Sequence, residues 1–127
     1  MTYYADCFVY GGNPSDVGGG FTITDEKGKL LWQEEKLQRG FTNNEGELLG
    51  VLYACMLASH GDTIVTDSQN TIAWIRSGTP KARPDLTDFA TLAKDLVSKK
   101  QVTVKWLPRE QNLAGIYNEE HDVGKVL

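Results

Sequence analysis

The first third of the chain consists of short apolar runs broken by turn-forming residues. Residues 3–10, 18–24 and 29–38 are rich enough in aromatic, aliphatic and β-branched side chains to predict three strands. Clusters of Gly, Asn, Asp and Pro separate these strands at 11–14 and 25–28. Because the turns are short, we expect the three strands to form an antiparallel meander.

Apolar positions take up a helical spacing after Phe41. These positions are Leu48, Val51, Leu52, Cys55 and Met56. Their spacing predicts a helix of about sixteen residues that ends near His60-Gly61. The run 63–66 is apolar without alternation, which predicts a central strand covered on both faces. The remaining pattern predicts helices at 69–77 and 85–99, a strand at 102–106 and a last helix from near Asn112 towards His121.

The predicted order β-β-β-α-β-α-α-β-α combines an antiparallel start with later α/β units. This order favours an α/β fold, with a mixed sheet that carries helices on both faces. With 127 residues and no internal repeat or linker, we expect residues 1–127 to form a single domain.

The composition is that of a globular protein, with 40% hydrophobic and 24% charged residues. No apolar run approaches the roughly 20 residues of a membrane helix, and the first residues do not resemble a signal peptide. We therefore expect a cytoplasmic protein without membrane association. Cys7 and Cys55 lie among apolar neighbours, which predicts two buried, reduced thiols rather than a disulfide or a zinc site.

The charges are unevenly distributed along the chain. The formal net charge is −4, yet residues 76–109 contain eight Lys or Arg against three acids, a local balance of +5. Such a segment predicts either a basic patch beside an acidic pocket or a solvated helix face.

Three acidic residues stand out by their positions. Asp6 lies inside an otherwise apolar strand, where burial would raise the pKa of its carboxyl group unless it has a partner or is exposed at the strand end. Glu47 lies at the start of the long helix, where Thr42 and Glu45 read as a capping box and acids favour the helix dipole. Its position alone requires no function.

Asp67 directly follows the short apolar strand 63–66. Either Asp67 or Ser68 is suited to cap the next helix. Alternatively, Asp67 faces a crevice at the carboxyl end of a central strand, where α/β sheets place their chemistry. None of the three acids identifies a function by itself.

Taken together, the acids and their surroundings resemble the type 1 ribonuclease H family of the ribonuclease H-like superfamily. The resemblance runs from about Tyr3 to Asn118 and rests on Asp6, Gly12-Asn13-Pro14, Gly18-Gly19-Gly20, Thr42-Asn43-Asn44 with Glu47, and Thr66-Asp67-Ser68-Gln69. It implies a five-stranded mixed sheet, its first three strands antiparallel, flanked by helices. This agrees with the order obtained from the pattern alone.

The resemblance also implies a chemistry. Asp6, Glu47 and Asp67 match the family's ligands for two Mg²⁺ ions, with Mn²⁺ as a substitute, and hard cations do prefer such oxygen ligands. The implied reaction is endonucleolytic cleavage of the RNA strand of an RNA–DNA hybrid, leaving a 3′-hydroxyl and a 5′-phosphate. It needs no organic cofactor. The implied substrate contacts are Gly11, Gly12, Asn13, Asn44 and Gln69. Arg109 is a further candidate, not implied by the resemblance, to assist at the phosphate.

The chain departs from the family pattern near its end. The family has a further Asp three or four residues after an Asn, but Gly115 and Ile116 follow Asn112 at these distances. Glu119, one helical turn after Gly115, is the candidate replacement as a catalytic metal ligand; Glu120 and Asp122 are less suitable. The family's loop His is absent from residues 107–112.

These departures leave alternatives open. A catalytically weak or inactive domain of the same fold would bind nucleic acid or a protein partner, and the missing acid favours it. A resolvase-like or transposase-like nuclease is the third hypothesis, against which the segment from Thr42 to Glu47 argues. Without a long basic protrusion, we also expect weak, salt-dependent affinity for the hybrid.

Overall fold

A computed structural model describes residues 1–125 of the chain. Its five strands form one sheet in the order β3-β2-β1-β4-β5. The strands are β1 Thr2–Val9, β2 Gly19–Thr24, β3 Leu30–Lys36, β4 Thr63–Thr66 and β5 Thr103–Trp106. The first three strands pair antiparallel, while β1 with β4 and β4 with β5 pair parallel. The predicted mixed sheet, with an antiparallel opening, is therefore confirmed.

Four helices flank the sheet on both faces, as predicted. They are α1 Asn43–Leu57, α2 Gln69–Ser77, α3 Thr87–Lys100 and α4 Leu113–Glu120. Alternate residues of β1 point to opposite sides, so that Ala5 contacts α1 whereas Asp6 contacts α4. The main hydrophobic core lies on the α1 side. Predicted element bounds agree with these to within a few residues, and a 3₁₀ turn over Pro84–Leu86 precedes α3.

The helix α1 lies unusually close to the central strand β1. A Cβ atom at Gly46 would lie 2.7 Å from Cβ of Cys7, closer than two carbon side chains can approach. Only the absence of a side chain at position 46 allows this packing. It brings the neighbouring Glu47 to the same end of the sheet as Asp6.

The carboxyl end of α1 differs from the prediction. The helix stops at Leu57 rather than near His60-Gly61 because Ala58 adopts an extended conformation. The ammonium group of Lys100 donates hydrogen bonds to the carbonyl oxygens of Cys55, Met56 and Ala58 at 2.9–3.0 Å. A cation from the end of α3 thus satisfies the last carbonyls of α1, and sequence spacing carries no sign of this long-range cap.

The amino end of α1 confirms one half of the predicted capping box. The Thr42 hydroxyl accepts a hydrogen bond from the backbone N–H of Glu45 at 3.2 Å. The second half is wrong, since the buried Glu45 carboxylate pairs instead with Lys36 at 2.9 Å and Arg83 at 3.3 Å. Two cations of the 76–109 segment, Arg83 and Lys100, are therefore engaged within the fold.

The two cysteines are free thiols. Cys55 is buried in the core, as predicted, but Cys7 is partly exposed at the edge of a cavity. Burial raises the pKa of both thiols, to about 12 for Cys55. Over the described residues 1–125, every helix is too short or too polar to cross a membrane.

Candidate active site

Three carboxylates from different parts of the chain meet at one end of the sheet. Asp6 comes from β1, Glu47 from the first turns of α1 and Asp67 from the residue after β4. One oxygen atom of each lies within 4.8 Å of the others. Because β1 and β4 run parallel, Asp6 and Asp67 lie at the same end of the sheet.

Ser68, rather than Asp67, caps α2. Its hydroxyl accepts a hydrogen bond from the backbone N–H of Thr71 at 3.1 Å. This arrangement leaves the Asp67 carboxylate free to face the cavity, and it decides between the two caps that the sequence allowed.

The Asp67 segment is held in place by neighbours from the far end of the chain. The buried Asn112 amide donates to the Asp67 carboxylate at 3.4 Å and to the backbone carbonyl of Ala5 at 2.9 Å. The indole N–H of Trp106 donates to the backbone carbonyl of Asp67 at 3.1 Å. These bonds fix the end of β4 relative to β1 and β5.

Burial disfavours the ionised form of all three carboxylates, and neighbouring carboxylates add to this effect at Asp6 and Glu47. Burial, followed by the charge of Asp67, raises the pKa of Asp6 to about 6. Burial and the nearby Asp6 raise the pKa of Glu47 well above its usual value, and burial also raises that of Asp67. This direction agrees with the expectation for a carboxyl group buried inside an apolar strand. Without a counter-charge, the cluster therefore binds protons at mildly acidic pH.

One oxygen of this cluster has no hydrogen-bond partner within the described residues 1–125. This atom is Oε2 of Glu47, which is buried, and buried polar atoms nearly always have a partner. A cation held between the three carboxylates would supply the missing interaction and offset their repulsion. The donors are all hard oxygens, which suit Mg²⁺ or Mn²⁺. The residues present thus fit a divalent metal ion.

A cavity of about 340 Å³ opens onto the cluster. Of the substrate-contact residues proposed from the sequence, Asn44 and Arg109 line it. Gly11, Gly12 and Asn13 lie in an exposed loop, which Asn13 ties to α1 by accepting the N–H of Asn43 at 3.0 Å. Gln69 is exposed at the first residue of α2. The cavity lining also includes three residues that were not among the predicted site residues: Cys7, Asn43 and Ser68.

The structure places Glu119 outside the three-carboxylate cluster of the described residues. It is exposed on α4 and lines a second cavity of about 330 Å³ together with Arg109, Glu110, Gly115 and Ile116. Gly115 is the position that faces the cluster, because a Cβ there would lie 3.1 Å from Oδ2 of Asp6.

Two buried asparagines near the cluster were not predicted as site residues. Asn112 is completely buried, and Asn118 on α4 is 7% exposed and donates to Asp6 at 3.4 Å. The sequence does carry a signal for Asn118, because it lies four residues after Ala114 and therefore on the same, buried face of α4. A polar side chain on a buried helix face requires a polar partner. That partner lies more than 100 residues away in the chain.

Comparison of the sequence with known protein families identifies the class of protein to which this fold and this carboxylate cluster belong. Residues 7–116 match the family described as reverse transcriptase-like. The chain belongs to this family. The resemblance to the type 1 ribonucleases H, stated above from the sequence motifs, is thereby confirmed.

Solved structures share the fold. The RNase H1 of the halophilic archaeon Halobacterium salinarum matches with a TM-score of 0.67 and 20% identity, over 95% of this chain and 96% of that chain. The N-terminal RNase H domain of Rv2228c from Mycobacterium tuberculosis matches with a TM-score of 0.65 and 22% identity, over 89% and 90%.

A third similar structure contains nucleic acid. LC11-RNase H1, isolated from compost by a metagenomic approach and solved in complex with an RNA/DNA hybrid, has a TM-score of 0.61 and 22% identity. The match covers 87% of each chain.

Proposed function

We propose that this protein is a metal-dependent endoribonuclease that hydrolyses the RNA strand of RNA–DNA hybrids. The observation that carries the proposal is the convergence of Asp6, Glu47 and Asp67, with a buried Glu47 oxygen that has no hydrogen-bond partner in the described part of the chain. The hybrid bound to a protein of the same fold supports the choice of substrate.

In this proposal, Asp6, Glu47 and Asp67 hold two Mg²⁺ ions, which Mn²⁺ can replace. When bound, such ions activate a water molecule and stabilise the leaving oxygen of a phosphodiester. The products are a 3′-hydroxyl and a 5′-phosphate. Glu119 is kept as the proposed fourth ligand; it is exposed on α4 and lines a neighbouring cavity together with Gly115.

The chain's own cations and amides position the substrate. Arg109 lines the cavity and binds a phosphate next to the scissile one. Gly11, Gly12, Asn13, Asn44 and Gln69 contact the RNA strand, where recognition of the 2′-hydroxyl separates RNA from DNA. We also propose that the protein is cytoplasmic, as predicted from the sequence.

Matched RNA–DNA, RNA–RNA and DNA–DNA duplexes test the activity. With Mg²⁺ or Mn²⁺, we expect cleavage of the hybrid alone, and loss of cleavage in the Asp6→Asn and Asp67→Asn variants. End-labelled products should carry 5′-phosphates. Both variants should still bind the hybrid, and an exposed Lys27→Ala variant in the β2–β3 turn serves as the active control. Cleavage of every duplex would contradict the proposed selectivity.

A second candidate function is an inactive domain that binds nucleic acid or a protein partner. It is favoured by Gly115, which leaves the helix position facing Asp6 without an acid. The same assay distinguishes the two, because an inactive domain would bind the hybrid or a partner and release no product at any Mg²⁺ or Mn²⁺ concentration.

A further inference from the structure

Helix α4 approaches Asp6 through two residues. Gly115 has no side chain and lets the helix backbone come close, since even a Cβ at this position would lie 3.1 Å from Oδ2 of Asp6. One helical turn later, Asn118 directs its side-chain amide to the same Oδ2 atom at 3.4 Å. The α4 face next to the cluster thus presents a neutral hydrogen-bond donor to Asp6.

The orientation of this amide is set by two further side chains. Gln33 on β3 donates from its amide nitrogen to the Thr22 hydroxyl at 2.9 Å. The Thr22 hydroxyl, on β2, in turn donates to Oδ1 of Asn118 at 2.6 Å. Because Gln33 occupies a lone pair of the hydroxyl, the hydroxyl proton points to Asn118. With its oxygen engaged in this way, Asn118 directs its NH₂ group to Asp6.

We infer that Asn118, oriented by Thr22, is a positioning residue that holds the Asp6 carboxylate for metal binding. Thr22 is fully buried and Asn118 is 7% exposed, so water does not compete for these bonds. The inference rests on the proposed function, in which Asp6 is a metal ligand. Partners that orient a ligand in this way typically contribute about 10–100-fold to metal affinity.

Mn²⁺ binding without nucleic acid tests this role. The dissociation constant is measured by the electron paramagnetic resonance signal of free Mn²⁺ at fixed pH, with melting curves to verify folding. We expect Asn118→Leu and Thr22→Val each to weaken Mn²⁺ binding about 10-fold. Thr22→Ser keeps the hydroxyl and should retain the affinity of the unaltered protein.

Thr24→Val is the matched control. Thr24 is a fully buried threonine two residues further along β2. Among the described residues, its hydroxyl bonds only to the neighbouring backbone carbonyl of Asp25. Loss of the Thr24 hydroxyl should therefore leave the affinity for Mn²⁺ unchanged, even if it alters the melting temperature. If Asn118→Leu does not fold, Thr22→Val still tests the inference from a different element.

Asp6→Asn separates failure of this inference from failure of the proposed function. If Asp6→Asn loses Mn²⁺ binding while folded Asn118→Leu or Thr22→Val retains it, the positioning role is wrong and the metal site stands. If Asp6→Asn itself binds Mn²⁺ like the unaltered protein, the proposed metal site is wrong. A lower melting temperature with unchanged affinity would assign Thr22 and Asn118 a structural role only and would overturn the inference.

Discussion

Gly46 of α1 packs directly against Cys7 of β1, with 2.7 Å between Cβ of Cys7 and the position that a Cβ at residue 46 would occupy. The contact lies beside both Glu47 and Asp6. Packing at this one point therefore controls the distance between two of the three carboxylates.

Gly46→Ala should destabilise the protein, although alanine is the better helix former. The added methyl group must push α1 away from β1, at a typical cost of about 1–3 kcal/mol for overpacking. Chemical denaturation measures the loss. Gly50→Ala is the control in the same helix, because its Cβ would lie 3.2 Å from the nearest atom and requires a smaller shift. Equal stability of the two variants would contradict this packing.

In EDTA, the melting temperature should fall as pH rises between about pH 5 and pH 7. The pKa of Asp6 is raised to about 6 by burial and by Asp67, so the folded state binds more protons than the unfolded chain. The stabilisation that protonated Asp6 contributes is complete below the pKa of this residue in the unfolded chain. It is lost as pH rises through the pKa that Asp6 has in the folded protein. Asp67→Asn removes one of the like charges and should flatten the profile. A melting temperature that rises over this range would contradict the cluster.

Saturating Mg²⁺ should stabilise the protein more at about pH 7 than at about pH 5. A ligand bound only by the folded state adds stability, and protons compete with it for the carboxylates. The shift in melting temperature should be larger for the unaltered protein than for Asp67→Asn. Na⁺ at matched ionic strength is the control for screening, and equal shifts with both salts would argue against a metal site.

Affinity for an RNA–DNA hybrid should be low and should decrease steeply with salt. The formal net charge of the chain is −4, and two of the eight cations in residues 76–109 are already engaged, because Glu45 binds Arg83 and the end of α1 binds Lys100. Arg109→Ala should reduce the slope of log K against log salt by about 1, as expected for one lost phosphate contact. Lys27→Ala, in the turn at the opposite end of the sheet, should leave the slope unchanged. Fluorescence anisotropy at several salt concentrations measures both.

Glu119→Gln should strongly reduce hybrid cleavage if its carboxylate completes the metal site, as proposed. The variant removes the charge and keeps the size of the side chain. Glu120→Gln, the exposed neighbour on α4, is the control and should cleave like the unaltered protein. An unchanged cleavage rate for Glu119→Gln would remove this residue from the site.

The sequence by itself determined where the strands and helices lie and which three acidic residues are candidates for the site. Apolar spacing indicated all five strands and the four helices, because period and turn chemistry are local properties. Asp6 and Asp67 could be singled out because Asp6 lies inside an apolar strand and Asp67 directly follows a central one, whereas Glu47 was indicated only by the family resemblance. Their convergence followed from the strand order that the family resemblance implied.

Only the tertiary structure decided which side chains surround these acids. The close approach of α1 at Gly46, the capping of α1 by Lys100 and the bonds of Asn112 and Asn118 join residues far apart in the chain. Such contacts depend on the packing of whole elements in three dimensions, and spacing along the sequence does not encode them. For the same reason, Glu45 and Arg83 form an ion pair, where local patterns predicted a capping box at Glu45 and a basic patch or a solvated helix face for residues 76–109.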